Sequence, residues 1–325
     1  MDTKYCKLLF REQKMIVLNE LKEKLTDFYV FPEVAQEINK KINDIINNGL
    51  IDDQETDSFC NEINNVLQSV NKDKHLRVRY LEEVRIPTDE EQEYEEGTWR
   101  NNFGFSKVEI LPGNVGFIKL NIFDLTSLGG ETAVNVMGFV KNTDALIIDL
   151  RENGGGDPDM VSLLMSYLIN GSVHHTTFYN RIDNEVIQFW TTDFVPGVKY
   201  LDKPVYLLTS KHTFSAAESF AYNLKQVNRV TIVGENTGGG AQPGRPHQLS
   251  FQFEVFISHG RAINPATNTN WEGVGVNPHI EVESGKALKV AYEQILKGLL
   301  NKDDGYEDNQ LRKEAMKVLV GSTGQ

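Results

Sequence analysis

A serine stands where a buried strand gives way to a helix. Pro204-Val205-Tyr206-Leu207-Leu208-Thr209 reads as an apolar strand, and Ser215-Ala216-Ala217-Glu218 opens a helical pattern that runs to about Val227. A hydroxyl at that junction is exposed at the strand's end, and the free N–H groups of the first helical turn point at any anion that forms beside it. The arrangement suits the nucleophile of an acyl transfer. It also suits a serine that only caps its helix.

A second strand-to-helix junction carries Asp149-Leu150-Arg151-Glu152-Asn153-Gly154-Gly155-Gly156-Asp157. Three consecutive glycines remove every Cβ from the turn, so a substrate carbonyl can approach main-chain N–H groups closely, as an oxyanion hole requires. The alternative is a tight connection with no chemistry, in which Arg151 and Asn153 fix the turn. Neither a dinucleotide fingerprint nor a phosphate loop matches, because Gly-x-Gly-x-x-Gly and a following Gly-Lys-Ser/Thr are both missing here. His212, three residues before Ser215, is too close in the chain to reach back in base geometry. His174-His175 would point to opposite faces of a strand and has no carboxylate at ligand spacing, so no metal is expected. His247, His259 and His279 fall in turns or at strand ends and are expected to face solvent. Cys6 and Cys60 form no CxxC, so neither a disulfide framework nor a zinc site is signalled. No cofactor is expected.

The elements that must position these residues alternate. From about Lys7 to Val70 apolar residues recur every three or four positions, interrupted at Pro32 and at Asn47-Asn48-Gly49. This predicts a small N-terminal helical domain, residues 1–72. His75-Leu76-Arg77-Val78-Arg79-Tyr80 switches to the two-residue period of a strand. The acidic stretch Asp89–Glu96 reads as a solvated loop. Strands are expected at Asn114–Phe123, Ala145–Leu150, Pro204–Thr209 and Val230–Val233. Helices are expected at Gly130–Val140, from Asp157-Pro158 to about Ile169, and from Ser215. This α/β layering covers residues 73–285, and a helical tail covers 286–325. Leu249 to Ile257 alternate as an antiparallel strand with a hairpin turn at His259-Gly260.

Asn102-Phe103-Gly104-Phe105 with Leu111-Pro112-Gly113-Asn114-Val115-Gly116-Phe117, the Asp-Leu-Arg-x-Asn-Gly-Gly-Gly segment, Thr213-Phe214-Ser215-Ala216-Ala217-Glu218, Gly234-Glu235-Asn236-Thr237-Gly238-Gly239-Gly240 and Gly275-Val276-Asn277-Pro278 occur in that order. Together, over roughly residues 70 to 285, they resemble the C-terminal-processing (tail-specific) serine peptidases. The branch they resemble is similar to interphotoreceptor retinoid-binding protein and the tricorn protease core. The resemblance implies an α/β fold with a crotonase/ClpP-like core, Ser215 as nucleophile, and oxyanion donors from the N–H of Ala216 and of Gly154 or Gly155. One branch activates its serine with a downstream lysine, but Gly240 stands at that distance and Lys225 lies on the serine's own helix. The tricorn-like branch uses a histidine before the core and a glutamate near its end, which correspond here to His75 and Glu272. An imidazole that takes the hydroxyl proton, and a carboxylate that holds the imidazole's tautomer, are what a serine needs to be a nucleophile at neutral pH. Glu218 and Glu235 match motif positions and are expected to support the site by hydrogen bonding. The interval from His75 to Asn114 is too short for a PDZ module, which would capture a substrate as an added strand.

Composition narrows the partners. The chain has 325 residues with 46 Asp+Glu against 33 Lys+Arg, a net charge of −13, and its cations are scattered, which argues against a nucleic-acid partner. No run long and apolar enough to span a membrane occurs, and the first residues lack the pattern of a secretory leader. The expected function is a serine peptidase acting on peptides or proteins through an acyl-enzyme and a Ser-His-Glu triad. The alternative is a binder of apolar or peptide ligands on the same fold. Oligomeric state and location stay open.

Overall fold

The computed structural model describes residues 8–48, 54–82, 97–300 and 306–321. The acidic stretch Asp89–Glu96 and Cys6 lie outside the described residues. The chain divides into two compact units.

The first unit takes the described residues of Met1–Thr88, Thr177–Ile187 and Gly240–Ile263. Its helices are Arg11–Phe28, Pro32–Asn47 and Thr56–Val70, with Pro32 in a first turn where its missing N–H leaves no bond unmade. Their apolar stripes (Leu18, Leu21 and Leu25; Ile38 and Ile42; Phe59, Ile63 and Leu67) are buried together. Each such side chain removed from water contributes about 1.5–3 kcal/mol. The helices do not close this core alone. Leu76, Val78, Phe253, Val255 and Ile257 belong to it, from a three-stranded antiparallel sheet in the order Gly244–Gln248, Phe253–Ser258, Arg77–Tyr80. A helical domain ending at residue 72 therefore omits the strands that complete its core.

The chain reverses at Leu249–Gln252, where Phe251 (φ 59°) and Gln252 (φ 66°) are left-handed and the Leu249 N–H donates to the Phe253 carbonyl at 2.8 Å. This corrects the expected hairpin at His259-Gly260. The strands flanking that pair enter different sheets, since Gly260–Ile263 pairs antiparallel with Thr177–Asn180 of the strand His174–Asn180. Gly260 is needed there because a Cβ would lie 2.7 Å from the Tyr179 carbonyl oxygen.

The second unit takes the described residues of Asp89–Thr176, Gln188–Gly239 and Asn264–Gln325. Six strands lie in the order Ile280–Glu281, Thr231–Gly234, Val205–Thr209, Ala145–Asp149, Val115–Leu120, Phe105–Leu111. All neighbours are parallel except the last pair. Ala145–Asp149 is buried along its whole length, which explains its unbroken apolar run. Val115, Phe117, Ala145, Ile147, Leu208 and Val233 pack on one side against Ala287, Ala291, Ile295 and Leu296 of the helix Ser284–Leu300. The segment after residue 285 is thus part of this unit's core rather than an appended tail. Arg312 of the helix Tyr306–Gly321 is buried, donating to the Leu299 carbonyl at 3.2 Å and to the Asp144 carboxylate at 2.9 Å. Helices Thr126–Val140, Pro158–Leu168 and Ala216–Gln226 complete the unit. Asp157 caps the second of these, accepting the Asp159 and Met160 N–H groups at 3.0 and 3.1 Å. Because the central strands are parallel, the loops after Asp149, Thr209 and Gly234 leave from one sheet edge, where open α/β sheets place their ligands.

Candidate active site

Ser215 sits at the N-terminus of Ala216–Gln226 with φ 54° and ψ −119°. For a residue with a Cβ this conformation costs about 1–3 kcal/mol, so surrounding bonds must impose it. They do. The Ser215 N–H donates to a Glu218 carboxylate oxygen at 3.0 Å and its carbonyl accepts the Ser219 N–H at 2.9 Å. The Phe214 N–H donates to the Asn153 carbonyl at 3.0 Å, and Thr213 Oγ1 donates to the Leu150 carbonyl at 2.8 Å. Ser210 Oγ donates to the Arg151 carbonyl at 2.5 Å. The serine turn is therefore bonded to the glycine turn along its length.

The glycine turn is fixed from within. Arg151 grips Asp149 through Nε at 2.8 Å and Nη2 at 2.7 Å, a hold that raises the guanidinium's pKa, and its Nη1 donates to the Ser284 carbonyl at 2.7 Å. Asn153, fully buried, donates to the Leu120 carbonyl and accepts the Gly155 N–H, both at 2.9 Å. At φ 119° Gly155 lies against the serine, so a Cβ there would be 2.7 Å from Ser215 Cβ. At Gly156 a Cβ would lie 1.9 Å from the Phe123 carbonyl oxygen. Because Asn153 takes the Gly155 N–H, that group serves its own turn. Gly154 is exposed, with open space where a Cβ would be.

Glu218 is fully buried and ties three segments together. Besides the Ser215 N–H it accepts the Gly239 N–H at 2.7 Å and Thr237 Oγ1 at 2.5 Å. Thr237 Oγ1 in turn accepts the Val276 N–H at 2.6 Å, and the Gly273 N–H donates to the Gly239 carbonyl at 2.8 Å. Glu272, half-buried in that last turn, donates its N–H to Asn270 Oδ1 at 2.9 Å. Glu235 accepts the Lys211 N–H at 3.4 Å, while its carbonyl takes Thr209 Oγ1 at 2.9 Å. The second unit thus links Ser215, Ala216, Gly154, Gly155, Glu218, Glu235 and Glu272 through one set of bonded loops.

His75 is placed in the first unit, half-buried beside the strand Arg77–Tyr80. Its ring stacks on Phe256 with centroids 5.4 Å apart, and its main-chain N–H donates to Asp73 Oδ1 at 3.0 Å. Burial, with a smaller push from Arg77, brings its pKa down to about 4. Asp73 is buried, accepts the Leu76 N–H at 3.1 Å and the Tyr29 hydroxyl at 3.1 Å, and has a carboxylate oxygen within 4.8 Å of a His75 ring nitrogen. Burial pushes its carboxyl up. Sequence reasoning passed over Asp73. The signal was an aspartate two residues before the histidine, the spacing of a side chain that accepts the N–H groups following it.

Two other histidines differ from expectation: His247 and His259 are half-buried rather than solvent-facing, whereas His279 is exposed as expected, its Nδ1 accepting the Ile232 N–H at 2.9 Å. His174 stacks on Trp190 at 4.7 Å, and His175 is buried among hydroxyl and amide groups.

Comparison with known proteins gives a consistent answer. A family model described as peptidase family S41 matches residues 114–282, and one described as the N-terminal domain of that peptidase in eukaryotic IRBP matches residues 2–101. A chloroplastic carboxyl-terminal-processing peptidase 2 of Arabidopsis thaliana is 29% identical over 177 residues, 52% of this chain and 33% of that protein. A carboxy-terminal-processing protease of Bartonella bacilliformis is 27% identical over 176 residues, 53% of this chain and 39% of that one. The chain therefore spans between a third and two fifths of those relatives' lengths. Among solved structures, a candidate peptidase from Parabacteroides merdae superposes with TM-score 0.60 at 17% identity, covering 90% of this chain and 98% of the other. The tricorn protease superposes with TM-score 0.52 at 14% identity, covering 94% and 37%. At those identities the likeness concerns the fold.

Proposed function

The chain belongs to peptidase family S41, and from that membership we propose that it hydrolyses peptide bonds as a serine peptidase with Ser215 as nucleophile, His75 as general base and Glu272 as the carboxylate that orients His75. The observation that carries the proposal is the backbone at Ser215, held at φ 54° on a helix N-terminus with Gly155 pressed against it. A protein does not maintain that strain for a helix cap, which an ordinary extended conformation supplies.

In this mechanism Ser215 Oγ bonds to the scissile carbonyl carbon as its proton passes to the His75 imidazole. The charge that develops on the carbonyl oxygen is met by the Ala216 N–H and, since Asn153 occupies the Gly155 N–H, by that of Gly154. Collapse breaks the C–N bond, and His75 returns the proton to the departing amine. Water then attacks the acyl-enzyme by the same route in reverse. Burial favours the neutral imidazole, the form that accepts a proton. The positive end of the helix dipole lies beside Ser215 and favours the oxyanion.

The substrate class is a peptide or protein. Incubation with a peptide library, read by mass spectrometry, should give products with new amino termini for the natural protein and none for Ser215→Ala. Equal cleavage by both proteins would overturn the reading. Saturable binding of an apolar ligand without cleavage would favour a binding module instead.

A further inference from the structure

The proposed mechanism leaves unused a buried polar network along the helix that begins at Ser215. His175, Asn223 and Asn264 are all nearly inaccessible, at 4%, 2% and 4% exposure, and groups so buried must satisfy one another. Their donors and acceptors form a directed chain. Ser162 Oγ donates to the Pro158 carbonyl at 2.9 Å, so its contact with His175 Nε2 at 3.0 Å makes that nitrogen the donor. His175 Nδ1 is then the acceptor, facing Thr176 Oγ1 at 3.1 Å. Asn223 Nδ2 donates to Thr176 Oγ1 at 2.8 Å and to Ser219 Oγ at 3.1 Å, which turns Asn223 Oδ1 toward Asn264 Nδ2 at 2.9 Å. Asn264 Oδ1 accepts the Ala266 and Thr267 N–H groups at 2.9 and 3.0 Å, folding the turn whose ends meet in the Asn264–Thr269 bridge.

That turn leads directly into Glu272. A second tie runs beside the first, because the Tyr222 hydroxyl contacts Thr267 Oγ1 at 3.0 Å and its ring lies 5.3 Å from Trp271, the residue before Glu272. Ser219, Tyr222 and Asn223 occupy the helix one and two turns beyond Ser215. One helix therefore presents the serine at its end and, along its side, grips the segment that delivers the carboxylate.

We infer that Asn264 is a positioning residue that, through the hydrogen bond its Nδ2 donates to Asn223 Oδ1, sets the distance and angle of Glu272 relative to the Ser215 helix. The inference rests on the peptidase reading. Asn264→Asp separates the link from the turn. Its oxygen still accepts the Ala266 and Thr267 N–H groups, but the donor facing Asn223 Oδ1 becomes an acceptor, and Asn223 cannot rotate without abandoning Thr176 and Ser219.

The test is the rate of covalent labelling by a fluorophosphonate, with folding checked by thermal melting. Asn264→Asp should label on the order of 10-fold more slowly, because a small displacement of a catalytic group is enough for that. Glu272→Gln combined with Asn264→Asp should label no more slowly than Glu272→Gln alone, which is the signature of a residue that acts through Glu272. Tyr222→Phe, which loses only the hydroxyl tie, should slow labelling a few-fold and decides the matter if Asn264→Asp does not fold. Labelling of either folded variant at the unaltered rate, or multiplicative losses in the double variant, would overturn this inference alone. Absence of labelling in the unsubstituted protein would overturn the peptidase reading and this inference with it.

Discussion

Around Ser215 the fixed points are main-chain N–H and carbonyl groups, bonded to one another and to the side chains of Glu218, Thr213 and Ser210. The Phe214, Gly238 and Ser219 N–H groups bond to the carbonyls of Asn153, Thr213 and Ser215, and two glycines stand where no Cβ fits. Around His75 the fixed points are side chains: a carboxylate two residues back, a tyrosine hydroxyl behind that carboxylate, and one phenylalanine ring. The contrast matters for robustness. A turn held through its main-chain groups excludes an added Cβ and depends on the few side chains, Glu218 above all, that bond to those groups, whereas a histidine held by neighbouring side chains is sensitive to their chemistry and to pH.

The largest effect that separates the two regions is catalytic. Ser215→Ala and His75→Ala should each lower kcat by about 10⁴ to 10⁶, and the double variant little further, because a triad acts as a unit. Steady-state hydrolysis of a library-selected peptide measures this, and additive losses would mean that the two residues work separately.

The next largest effect concerns the backbone around Ser215. Gly156→Ala should cost more than about 3 kcal/mol, since a methyl 1.9 Å from the Phe123 carbonyl oxygen forces the chain apart at a φ of 129°. Glu218→Gln should cost about 2–3 kcal/mol, because an amide cannot accept from Ser215, Gly239 and Thr237 together. Denaturant midpoints read both. A stable Gly156→Ala would contradict the close approach on which the turn depends.

Smaller changes belong to the His75 region. Asp73→Ala should cost about 1–3 kcal/mol by stranding the His75 and Leu76 N–H groups, while Asp73→Asn, which still accepts them, should recover most of that. Equal losses for the two variants would show that the charge, rather than the hydrogen bonds, holds the turn.

The smallest effect is pH-dependent. Burial places the folded-state pKa of His75 and of His175 near 4, below the ordinary value of 6.5. The unfolded chain therefore binds protons first on acidification. The stability these neutral imidazoles contribute is complete above about pH 6.5 and declines as the pH falls toward 4. His75→Phe should flatten the loss of denaturant midpoint between about pH 7.5 and 5.5, and an unchanged slope would contradict the burial of His75 as a neutral ring.

Local chemistry explains what could be read from the sequence. Ser215 at a strand–helix junction, Asp157-Pro158 at a helix start and the buried run Ala145–Asp149 each announce themselves within a few residues, because capping, proline geometry and burial act over one turn or one strand. Glu218 matched a motif, but its partners Ser215, Thr237 and Gly239 lie on two segments and only the folded chain shows that it joins them. The strands that complete the first unit's core come from segments around residues 78 and 255, and no periodicity in the helices indicates which strands will cover them. The misplaced hairpin has the same origin. His259-Gly260 looks like a turn, yet Gly260 is there to let a neighbouring backbone approach. Asp73, Asn264 and Arg312 went unread, and His175 was weighed only as a metal ligand, because a buried polar residue is defined by partners distant in sequence.

Intact-mass analysis and peptide mapping after fluorophosphonate treatment test the central claim most directly. A single adduct on Ser215, absent from Ser215→Ala and slowed by several orders of magnitude in His75→Ala, is the expected result. An adduct on another residue, or undiminished modification of Ser215 without the His75 imidazole, would contradict it.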